Sequence, residues 1–155
     1  YSVNKVTAGV LDGVDINEAV IGVINYNQLH EGKNHFKFTS KDFIGFKSIF
    51  DGNDNISADV TVDSKYKNQT VYIDKSAVKV TNVPNGYDYK LVFTDFKITV
   101  VAPENTKIDS GDLVYTCDAS KLDDSNTADL VVTLSNHNDS WVYGTYKISV
   151  ELTKK

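Results

Sequence analysis

A chain of 155 residues has room for one large β-domain or two small ones, so length alone does not settle the domain count. The formal net charge is −5 and all sixteen basic residues are Lys. An acidic balance without any guanidinium for a bidentate grip on phosphate or guanine argues against nucleic acid as a partner.

Nine Tyr, seven Phe and no Met favour strands over packed helices. No run of about twenty apolar residues is present, which excludes membrane insertion by a helix of this segment. Tyr1–Lys5 lacks the features of a signal peptide and the chain does not open with Met, so the expectation is a processed product or an excised piece.

In chain order, Val3–Val10 reads as a strand and Leu11–Gly13 as a turn. Ala19–Ile24 is a continuous apolar run, the pattern of a strand buried on both faces. Glu31–Asn34 reads as a turn, and Phe36–Thr39 alternates as a half-buried strand does. The apolar spacing of Phe43, Phe46 and Phe50 suits either a strand or a helical turn. Asp51–Asn55 is a polar loop before a strand at Ser57–Val62, and Ser64–Asn68 is the expected domain junction.

Strands are then expected at Thr70–Ile73, Val78–Thr81, Tyr87–Phe93, Phe96–Val101, Leu113–Asp118, Leu130–Leu134, Val142–Tyr143 and Tyr146–Leu152. Val83–Gly86 and Ala102–Asn105 are punctuated as β-turns. The class is all-β.

Part of this pattern occurs twice. Lys5-Val6-Thr7 lies against Lys97-Ile98-Thr99 at a lag of 97 − 5 = 92, and Leu29 against Leu122 at 122 − 29 = 93. Ala58–Val62 lies against Ile148–Leu152 at 150 − 60 = 90. A period of this length suits two tandem small domains, 1–64 and 65–155. The first has only four residues before Lys5, so it lacks the opening strands of the second.

The second half resembles the YbbR-like domain family. Val78–Tyr87, VKVTNVPNGY, is similar to the opening hairpin of such domains. Ile98–Glu104, with its Ala-Pro, is similar to their central strand, and Tyr115–Ser120 to the segment after it. The closing strands at 130–134 and 141–150 resemble those of clostridial members. Residues 3–64 match as a fragment of a second copy, without the Pro and the hairpin.

The resemblance implies small elongated β-modules in tandem, membrane-anchored on the outer surface of a Gram-positive bacterium. It further implies a non-enzymatic regulatory or interaction role toward a protein partner at the membrane, in some members a membrane-bound diadenylate cyclase. Two other readings stand beside it. One is a surface structural or adhesive subunit, a homo-oligomer assembled by strand exchange through the incomplete first domain. The other is a carbohydrate-binding β module presenting Trp141 and Tyr143 on one strand face, with Tyr146 nearby.

Candidate chemical groups are sparse. His30, His35 and His137 are too scattered for a zinc site. Asp51–Asn55 places oxygens like a calcium loop but has Ile56 and Val62 where Gly and Glu are needed. Cys117 sits in an apolar strand without a His to activate it, and Asp118, which aligns with Asn25, reads as a strand-ending cap. No catalytic residue, metal or cofactor is expected.

Overall fold

In a computed structural model of the chain, the described residues are 2–3, 22–39 and 56–155. They form eleven strands joined by turns and short 3-10 segments, an all-β architecture. By compactness the chain divides into two units, residues 1–25 with 29–63, and residues 26–28 with 64–155. The expectations at Leu11–Gly13, for residues 43–50 and at Asp51–Asn55 lie outside the described residues, as does most of Val3–Val10.

The first unit contains β1 (Ser2–Val3), β2 (Gly32–Phe38) and β3 (Ile56–Val62), antiparallel in the order β1-β3-β2. The expected turn at Glu31–Asn34 is instead the start of β2. Asn34 explains the difference, because it is buried, at 3% exposure, and satisfies the bend with its side chain. Its Oδ1 accepts from the His30 N–H (3.0 Å), while Nδ2 donates to the carbonyls of His30 (2.9 Å), Gly32 (3.0 Å) and Val60 (3.3 Å). One amide thus meets backbone groups that burial would otherwise orphan.

Of the expected strand Ala19–Ile24, the described residues Gly22–Ile24 are not in a strand, and Val23 is 62% exposed. The Phe38 ring lies against the Gly22 backbone where a Cβ would stand, so Gly22 serves as a close-packing position rather than as part of a two-faced strand.

The second unit has two sheets. In chain order its strands are β4 (Tyr66–Tyr72), β5 (Val78–Thr81), β6 (Tyr87–Val92), β7 (Lys97–Pro103), β8 (Leu113–Asp118), β9 (Thr127–Leu134), β10 (Trp141–Tyr143) and β11 (Tyr146–Lys154). The sheets are ordered β10-β7-β4 and β5-β8-β9-β11-β6, with β5–β8 the one parallel pair among the described strands.

Period-two alternation puts Ile98, Val100 and Ala102, Tyr115 and Cys117, Ala128 and Leu130, and Ile148 and Val150 into one core. Val71, Ile73, Val78, Leu91, Ile108 and Leu113 are buried with them, and burying each Val, Ile or Leu contributes about 1.5–3 kcal/mol.

Two turns are shifted from expectation by one residue. The Tyr87 N–H donates to the Pro84 carbonyl, so the turn spans Pro84–Tyr87 and Gly86, with φ +81°, takes the third position. That position of a type II turn needs a positive φ, which Gly supplies most cheaply. β7 runs on through Ala102-Pro103, and the turn follows at Pro103–Thr106. Tyr66–Asn68, expected as junction, belongs to β4.

β10 and β11 are nearly one strand that changes sheets. β10 pairs with β7, and after Gly144 (φ +89°) and Thr145 the chain becomes β11 and pairs with β9 and β6. The Tyr146 hydroxyl secures the corner by donating to the Tyr143 carbonyl (2.6 Å) and accepting from the Thr99 N–H (2.8 Å).

The triplet β6-β11-β9 has the same chain order and antiparallel pairing as β1-β3-β2. Ser2 pairs with Asp59 and Val92 with Ser149, both offset by 90 (92 − 2 and 149 − 59). This is the lag seen between Ala58–Val62 and Ile148–Leu152.

Candidate functional site

Where β10 leaves for the other sheet, β9 is left half paired. The Asn126 carbonyl accepts from Val150, and the Ser135 N–H donates to Asp112 on the opposite side. Strand alternation therefore directs the backbone groups of Ala128, Leu130, Val132 and Leu134 toward β11. β11 pairs with β9 only as far as Leu130, opposite Tyr146. Val132 and Leu134 consequently present N–H and C=O to a groove rather than to a strand.

The groove has a volume of about 700 Å³ and lies between the end of β9 and β10. Tyr26 and Asn27 border it, with the Asn27 carbonyl accepting from the Gly144 N–H (2.7 Å). Asn27 lines the groove, and its Oδ1 is shut off from solvent without a hydrogen-bond partner among the described residues. An acceptor left this way costs about 1–3 kcal/mol. Tyr26 is 70% exposed, and its ring centroid lies 5.6 Å from that of Trp141, which also meets Tyr66 at 5.3 Å. A second hollow of about 350 Å³ adjoins over these three rings and is edged by Asn138, Asp139 and Ser140.

The expected aromatic platform is therefore differently composed. Trp141 is in it, but Tyr143 lines neither hollow, and Tyr146 is packed against the core, edge-on to Phe96, with its hydroxyl spent on the backbone. Sequence alone missed Tyr26 and Tyr66, whose separation from Trp141 along the chain gives no local signal.

The three histidines are not brought together. His30 Nδ1 lies 2.6 Å from the Glu31 carbonyl, His35 pairs across strands with Asp59 (2.6 Å), and His137 lies 3.5 Å from Asp112 at the groove end. Among the described residues no three His, Cys, Asp or Glu converge as a metal would require. The Asp59 carboxyl is held below its ordinary range chiefly by the His35 hydrogen bond, and then by Lys33. Asp112 is lowered first by the Asp109 N–H, with His137 adding to it.

Cys117 is fully buried, and burial, followed by the charges of Asp118 and Asp129, pushes its thiol up, opposite to what a nucleophile needs. Asp118 caps the turn after β8. It accepts from Asn82 Nδ2 (2.9 Å) and from the Ser120 N–H (3.0 Å) and hydroxyl (2.7 Å), and these bonds, Asn82 first, lower its carboxyl. Among the described residues no helix is long and apolar enough to cross a membrane. No family model, curated protein or solved structure matches the chain.

Proposed function

We propose that this chain is a non-enzymatic module that acts outside the cell membrane by contact with a protein partner. In the specific form implied by its YbbR-like resemblance, it regulates a membrane-bound diadenylate cyclase. The observation that supports the reading is β6. Among the described strands it is an edge of the five-stranded sheet that pairs only with β11, and it carries exposed Tyr87, Tyr89 and Val92. Proteins normally guard such an edge with charge or a covering element, and an open one with aromatic side chains suits an incoming strand. The edge charges Asp88 and Lys90 point instead to Lys155 (3.1 Å) and Glu151 (3.8 Å) of the same unit. The repeated triplet of strands supports a tandem organisation.

The test is reconstitution of the full chain with a diadenylate cyclase in vesicles, reading cyclic dinucleotide formation. The expected result is a change in rate that Tyr89→Lys abolishes while leaving the chain folded. An unchanged rate together with no measurable complex refutes regulation. Self-association that rises with concentration and disappears in the same variant would transfer the reading to assembly by strand exchange.

A further inference from the structure

The groove beside β9 supports an inference independent of the β6 edge. We infer that it is a binding site for a neutral saccharide. Its polar groups are of mixed sense: the backbone N–H and C=O of Val132 and Leu134, and the hydroxyls of Thr133 and Ser140. A ligand whose groups both donate and accept meets such a set, as sugar hydroxyls do, whereas a carboxylate or an ammonium meets only half of it.

Among the described residues no Lys lines either hollow, and the one imidazole there, His137, already faces Asp112 at 3.5 Å, so a phosphate or sulfate finds no free counter-charge. Asp129, at one end, already faces Lys147 at 4.0 Å, and Asp139, in the smaller hollow, accepts from the Ser140 hydroxyl. The exposed Tyr26 ring, backed by Trp141, supplies the flat apolar surface on which the C–H face of a pyranose rests. The two hollows share Tyr26, Ser140 and Trp141, so the surface continues past a single ring and fits an oligosaccharide better than a monosaccharide. A concave groove of this size in which polar groups converge beside an aromatic wall is a common build of a small-molecule site.

Trp141 is the only Trp in the chain, so its fluorescence reports this site alone. The full chain would be screened on an array of neutral and charged glycans, and the strongest binder titrated against Trp emission. The expected result is a saturable emission shift with a neutral oligosaccharide at micromolar to millimolar concentration. Tyr26→Ala should weaken the affinity about tenfold and Tyr26→Phe should preserve it, since loss of one stacked ring is on the order of 1.4 kcal/mol. Circular dichroism would establish that both variants are folded. Absence of any neutral glycan binder, binding confined to charged glycans, or affinity unmoved by Tyr26→Ala in a folded chain would each overturn the assignment. Loss of the β6 contact by Tyr89→Lys should leave this binding unchanged, which separates the two readings.

Discussion

Replacing Tyr146 with Phe removes one oxygen and tests how the strand corner is held. At the last pair of the β10–β7 ladder, Thr99 and Tyr143 are opposite each other, and the Tyr146 hydroxyl stands between the N–H of one and the C=O of the other. The Phe ring keeps the contact with Phe96 (6.1 Å between centroids), so apolar burial is nearly constant and the change isolates two hydrogen bonds.

Each is partly buried and contributes about 0.5–1.5 kcal/mol, and each lost partner leaves a backbone group short of a bond. A loss of about 2 kcal/mol follows. For a unit of this size it would lower the melting temperature by roughly 8–16 °C. Equilibrium urea unfolding, fitted with an unchanged slope, measures the free energy directly. A loss smaller than about 0.5 kcal/mol would mean that Thr99 and Tyr143 close up on each other, and that the hydroxyl does not hold the corner.

Gly144→Ala should destabilise the same corner by about 1–2 kcal/mol through its backbone alone. The residue sits at φ +89° and the nearest atom to an added Cβ would be Tyr146 Oη at 3.6 Å, an ordinary contact; a neutral result in urea unfolding would contradict this. In acid, Asp118 should contribute in one direction. Its folded carboxyl lies below the ordinary value of 3.8, so its stabilisation is complete above that value and is lost as pH falls through the folded one. Asp118→Asn should therefore flatten the fall in stability below about pH 4, and an unaltered slope in denaturation across that range would refute the role.

Much of the second unit was legible because its strands are half-buried and alternate strictly. Val78–Thr81 and Leu113–Asp118 have the bounds read from the sequence, and Tyr87–Phe93 differs by one residue. What alternation does not carry is the side-chain chemistry that moves a boundary. Asn34 turns an apparent loop into the start of a strand by bonding three carbonyls, and Pro103 ends β7 later than turn composition suggests. The groove was illegible for a different reason. It comes from strand pairing that stops at Leu130 and from a ring contributed by Tyr26, more than a hundred residues from Trp141. Trp141 itself was recognisable as a candidate, but its neighbours were not.

Because one continuous run of chain serves both sheets of the second unit, neither sheet can come apart without pulling on the other. Local opening of the three-stranded sheet would drag on Gly144 and Tyr146 and loosen the end of β9, which is the wall of the groove. Backbone amides of the small sheet should then exchange with deuterium at the slow, global rate of the large one, although three strands alone would be a weak unit. Under mechanical load applied through the chain ends the unit should yield in a single step. A saccharide gripping the groove would raise the force of that step by bracing the seam at which the two sheets meet.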